Sequence, residues 1–219
     1  MKNLLNKRTI NIGIIYLIFM SATVILYFAT RSFTYRWLAV NLPLACVPIV
    51  FAAFAQVAKQ REKKLANIIA ALIWFAFFPN SFYMITNFIH VSYLAFDSNF
   101  VVVSAWFGLV YMTLGIMLGI LAGVFSLDII VRPIFESKGR VIGVTTVVTV
   151  SLLSGYAIYI GRFLRFNSWD LLTNPINLAR MLVESFSVFA VMFSLIFAVC
   201  TAFIYLVFCI LKGSKGAKV

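Results

Sequence analysis

Acidic residues are scarce in this sequence: 6 of its 219 residues are Asp or Glu, against 18 Lys and Arg. Charged residues of both signs make up 11%, less than half the roughly 25% of an ordinary soluble domain. That scarcity excludes a soluble globular surface. Histidine occurs once, at His90, and cysteine three times, at Cys46, Cys200 and Cys209. With no second histidine, no CxxC pair and no clustered acids, neither a metal site nor a disulfide framework is expected. The cysteines lie inside apolar runs and read as small packing residues. GxxxxGK[ST], GxGxxG and G-x-S-x-G are all missing. An autonomous nucleotide-driven machine and a serine-hydrolase elbow are therefore not expected, and no cofactor is implied.

What fills the chain is apolar: 63% of residues are hydrophobic and the mean hydropathy is +1.05. Several runs reach the roughly 20 residues that cross a bilayer core. They are continuous and lack the period-two alternation of a β-barrel. The expected fold is all-α, a polytopic transmembrane helix bundle forming one domain over residues 1–219. Its six spans fall at about 10–29, 37–57, 65–85, 100–127, 141–160 and 185–211. The first run is longer than a signal-peptide core and no A-x-A site follows it, so it reads as an uncleaved span.

The net charge of +12 follows topology better than nucleic-acid binding. Thirteen of the eighteen Lys and Arg lie on one side of such a bundle: at the N-terminus, in the 57–65 and 128–140 loops and in the tail. Five lie on the other: Arg31, Arg36, Arg162, Arg165 and Arg180. The positive-inside rule then puts both termini in the cytoplasm. The 30–36, 79–99 and 161–184 segments face outward, with short interfacial helices expected there.

Polar residues concentrate in those outward segments. From Leu65 to Phe78 the third span is too short to cross, so it must continue through Pro79, where a lost backbone donor is expected to break it. Beyond it, Asn80, Tyr83, Asn87 and His90 follow at spacings of three and four, which share one face of an α-helix. Tyr93 and Asp97 extend the line. The stripe suits either an outward pocket or an interfacial helix with a wet face. After the fifth span, Arg162 and Arg165 lie one turn apart, a spacing that can grip a phosphate or carboxylate. Snorkelling into headgroups is the simpler alternative. Asp170 suits a partner for either arginine, and Asn167 with Asp170 suits a helix cap. Asn41, beside Pro43 in the second span, either completes the polar site or joins two helices. Gly115, Gly119 and Gly123 form a small-residue ridge for close helix contact, with packing within the bundle expected ahead of a dimer seam.

The stretches WLAVNLPLA (37–45), FFPNSFYMITNFIH (77–90) and GRFLRFNSWDLL (161–172) together resemble a family of bacterial integral membrane proteins known as domain of unknown function 1361. The resemblance covers about residues 30–210. The second motif of that family reads like P-N-x-x-Y-x-x-T-D-x-x-H. Pro79, Asn80, Tyr83, Thr86 and His90 match it, while Asn87 stands where an aspartate is typical. The missing carboxylate weakens proton transfer or metal binding at that position. The resemblance implies a plasma-membrane protein and carries no activity with it.

Three functions fit these residues. The first is an outward polar pocket for an anionic or zwitterionic ligand or a lipid headgroup, serving transport or substrate binding. Arg162 and Arg165 would hold the anion, Asp170 would orient an arginine, and Asn80, Tyr83, Asn87, His90, Asn41 and Asn167 would supply hydrogen bonds. The second is an outer-leaflet enzyme of acyl or phosphoryl transfer, with His90 as base, although no activated nucleophile is visible. The third is a structural or assembly factor. Expected partners are membrane lipids and an anionic small molecule, with room for a homo-oligomer or a partner membrane protein, and no nucleic acid.

Overall fold

A computed structural model describes residues 7–94, 102–165, 173, 176, 180 and 184–213. Asn167 and Asp170 lie outside the described residues, as does Asp97. Those described form no strand. The helices are α1 (Lys7–Thr30), α2 (Phe33–Gln60), α3 (Lys64–Tyr83), α4 (Val103–Lys138), α5 (Arg140–Tyr159) and α6 (Val188–Gly213). A 3-10 helix, Met84–Tyr93, continues α3, and a π-helical turn, Ile160–Leu164, continues α5. Six helices are long and apolar enough to cross a membrane. Thr173, Ile176, Arg180 and Glu184, in the connection before α6, are helical.

Two expected boundaries differ. The third span is not broken at Pro79, because that residue sits inside α3. The winding changes instead at Met84, from α to 3-10. A proline costs a helix one backbone bond and a steric contact, and here the helix absorbs both. The fourth helix does not end with the expected span at Leu127. α4 runs on to Lys138 through Pro133, about 54 Å at 1.5 Å per residue, so its last turns project past a bilayer core.

The helices alternate in direction. One end of the bundle gathers the α1–α2 turn, the 3-10 segment, the π turn and the starts of α4 and α6; the other gathers the basic loops. α2 packs broadly on α3 and α4, and α5 on α6. In lipid there is little hydrophobic force between helices, so close packing must hold them. The glycine ridge of α4 provides it. A Cβ on Gly115 would strike Leu38, on Gly119 Met84, and on Gly123 Ser81. The ridge thus seats α2, α3 and the 3-10 segment on α4. Leu38, Leu42, Ala45, Met84, Met112 and Ile116 form the core beneath the 3-10 segment. A larger cluster around Trp74, Phe78, Phe82, Leu127 and Tyr205 fills the half toward the basic loops.

α1 is the most peripheral helix, with 6% of its apolar window buried. Polar ties fasten it to α4: the Tyr16 hydroxyl donates to the Leu118 carbonyl at 2.6 Å, and the Thr23 and Tyr111 hydroxyls lie 2.9 Å apart. Phe19 stacks on Tyr111. Its remaining apolar surface faces outward, where a membrane protein meets lipid.

Candidate ligand-binding site

The 3-10 segment sets the geometry. Its sequence, MITNFIHVSY, is rich in β-branched residues and carries an asparagine, which are weak α-formers. Thr86 and Ser92 donate to carbonyls three residues back, Tyr83 and Ile89, at 2.8 and 2.9 Å. Runs of 3-10 beyond three or four residues are uncommon, so tertiary contacts must hold ten of them. With three residues per turn, positions three apart eclipse. Met84, Asn87 and His90 are accordingly 0, 2 and 9% exposed, while Phe88 and Ile89 are 41 and 58% exposed.

That buried face meets α2. Asn41 Nδ2 donates to Asn87 Oδ1 at 2.9 Å. One turn nearer the end of the bundle, the His90 ring lies parallel to the Trp37 indole, centroids 6.0 Å apart and planes 3° apart. Arg36 places its guanidinium 5.8 Å from the same indole and 5.6 Å from Phe33. Asn87 also donates to Met84 Sδ at 3.6 Å. The amide pair and the stack together pin the 3-10 winding against the start of α2.

The π turn brings the second element. It gains a residue per turn over α geometry and swings the end of α5. Arg162 sits within it, half-buried. Tyr156 and Tyr159 stack below it and meet the Ser185 hydroxyl and carbonyl at 3.2 and 3.5 Å. Arg165 ends the turn in the left-handed region, φ 58°, and is exposed. Among the described residues no carboxylate forms a salt bridge with Arg162 or Arg165; the ion pairs found there all involve Asp128.

The residues singled out by sequence thus divide. Asn41, Asn87 and His90 meet one another's neighbourhood directly, while Arg162 lies apart from them on the π turn. Asn80 and Tyr83 sit on the α-helical side of the change in winding. Asn80 Nδ2 donates to the Phe77 carbonyl at 3.1 Å, and Tyr83 packs on the larger core cluster. Arg165 points to the surface. Trp37 and Arg36 belong to the constellation without having been singled out. An indole and a guanidinium four and five residues before Asn41 were the available signal.

A second polar cluster lies at the opposite end. Asp128 is 8% exposed within α4, accepts a hydrogen bond from Lys212 of α6, and lies 4.0 Å from Arg132. Phe208 packs under the Lys212 ammonium. A lone carboxylate in the apolar run FSLDII, facing a basic tail, was its signal. Placing the end of the span at Leu127 hid it.

Among the described residues no group of three metal-ligating side chains occurs. Six apolar helices with polar groups gathered at their ends define a multi-pass membrane protein. Its residues 40–205 match the family described as Protein of unknown function (DUF1361), and the chain belongs to that family. No curated protein and no solved structure matches it.

Proposed function

We propose that this protein binds an anionic group, at the level of lipid headgroups, where the start of α2, the 3-10 segment and the π turn meet. The observation that carries the reading is Arg162. It is half-buried within the π turn, and it has no carboxylate partner among the described residues. A guanidinium held so is a ready donor for two hydrogen bonds to a phosphate or carboxylate. Arg36 adds a second positive charge, and Arg31 a third, 5.4 Å from Phe28 at the same end. The Asn41–Asn87 pair serves as scaffold: it fixes the face on which His90 sits. Arg165, with Asn167 and Asp170, enters the reading from the sequence alone, as do Asn80 and Tyr83 as further hydrogen-bonding groups. The distribution of Lys and Arg favours both termini in the cytoplasm of a bacterial plasma membrane, with this site on the outer side.

The test is lipid retention. Protein in phosphatidylcholine nanodiscs doped with phosphatidylglycerol is released into native mass spectrometry, and bound phosphatidylglycerol is counted. Arg162→Gln is expected to lower retention about tenfold, the effect of losing one charge-assisted contact. Arg162→Lys should recover only part of it, because a point charge cannot reproduce the fork. Equal retention in Arg162→Gln and the unaltered protein overturns the assignment of Arg162.

A further inference from the structure

We propose that the seam between α5 and α6 holds buried water midway through the membrane, hydrogen-bonded to Ser151, Ser154 and Thr201. The inference is independent of the anion site, which lies at the end of the bundle.

Ser151, Ser154 and Thr201 are 1, 2 and 0% exposed, and their hydroxyls have no hydrogen-bond partner in the protein. A serine or threonine in a helix has a partner at hand, the carbonyl four residues back. Thr23, Thr30, Thr113, Thr145, Thr146 and Ser194 all take it. The three buried hydroxyls do not. Thr201 lies midway along α6, and Ser151 and Ser154 lie near the middle of the span Arg140–Leu164. Bulk water does not reach that depth, and an unpaired polar group is costly there.

The three groups share one seam. α5 and α6 run in opposite directions and touch backbone to backbone at Gly155, where a Cβ would stand 2.2 Å from the Ser194 carbonyl oxygen. Ser151 shares the face of Gly155 one turn away, and Ser154 lies between them. Thr201 shares the face of Ser194 two turns on, within the buried side that α6 turns mainly to α5. Both displacements run toward the basic end, about 6 Å for Ser151 and about 10 Å for Thr201 at 1.5 Å per residue. The two levels differ by about 4 Å, within the roughly 5.6 Å that one water bridges with two bonds of about 2.8 Å. Packed helices cross at an angle, so their separation grows away from the Gly155 contact and opens room beside these hydroxyls.

The lining selects the ligand. Neither helix carries an acidic residue, so a cation would find no countercharge. Water donates and accepts as a hydroxyl does, and a buried water typically makes about three bonds to otherwise unpaired groups.

Water-edited solid-state NMR of the protein in phosphatidylcholine bilayers follows magnetisation from water to each residue. Transfer to Ser151, Ser154 and Thr201 is expected to build up as fast as to Ser185, at the outer end of the seam, and well ahead of Val124 in the apolar core. Thr201→Val should slow transfer at Ser151 as well, because the shared water loses a partner. Thr201→Ser should keep it. Stability in bicelles gives a second readout. Threonine and valine have similar shape and helix propensity, so Thr201→Val reads the hydroxyl. With water bound, the change strands the other hydroxyls and raises the unfolding constant about tenfold. With a dry seam, it removes a stranded group and lowers that constant. Transfer to the three residues as slow as to Val124, or a Thr201→Val protein more stable than the unaltered one, overturns the proposal.

Discussion

Replacing Gly155 with alanine tests how closely this bundle is packed. A Cβ there would stand 2.2 Å from the Ser194 carbonyl oxygen, 3.0 Å from its carbon and 3.2 Å from its Cα. All three atoms are backbone of α6, so no rotamer change relieves the contact, and α5 and α6 must move apart by about 1 Å. Overpacking of this kind costs roughly 1–3 kcal/mol, and a backbone clash belongs near the top of that range. Alanine gains about 1 kcal/mol over glycine in helix propensity. The net loss is therefore about 2 kcal/mol. Gly13 supplies the control, since nothing lies within 4 Å of its Cβ position. Gly13→Ala should be neutral or gain up to about 1 kcal/mol. Gly119→Ala should fall between them, because its Cβ would meet the flexible Met84 side chain at 2.5 Å. Unfolding free energies measured by steric trapping in bicelles would rank the three. If Gly155→Ala is as stable as Gly13→Ala, the α5–α6 approach described here is wrong. Separation of those helices should also loosen the Tyr156 and Tyr159 contacts to Ser185, which lie one turn further along the same seam.

Two further perturbations follow from the polar contacts. Asn41→Leu and Asn87→Leu should each cost roughly 1–2 kcal/mol by stranding the other amide, whereas the double variant should recover part of that loss. A coupling energy near zero in the double-mutant cycle would refute the 2.9 Å contact. Asp128→Asn should destabilise the attachment of α6 to α4 by about 1 kcal/mol, a modest figure because the Lys212 side chain is 39% exposed and solvent screens it. The same unfolding assay should show the loss shrinking at high salt.

The six spans were legible because each depends on one property, a long apolar run, that a bilayer demands regardless of tertiary detail. The glycine ridge was legible for a similar reason: three glycines at intervals of four have little use except close approach. Asp128 was missed because a carboxylate looked like the end of a span, when a lysine from α6 lets it stay inside the helix. The passage of α3 through Pro79 was not legible either. The cost of a proline depends on what surrounds the freed carbonyl, and neighbouring helices supply that.

The polar stripe shows most sharply where sequence reading stops. On a single α-helix, Asn80, Tyr83, Asn87 and His90 share a face. The change to three residues per turn at Met84 rephases the second half. Asn87 and His90 then line up with Met84 against α2, and Tyr83 is left packing on the other core. No residue announces that change, since local propensity only weakens α geometry there and the contacts to Asn41 and Trp37 select the tighter winding. At the same end of the bundle the π turn departs from α geometry in the opposite sense and carries Arg162. One overwound and one underwound segment thus lie at the same end of the bundle. Departures of both kinds recur at functional sites, because a regular helix fixes where side chains point and a locally altered winding can re-aim them. At this end of the bundle, backbone winding therefore decides where the polar groups point as much as their identity does.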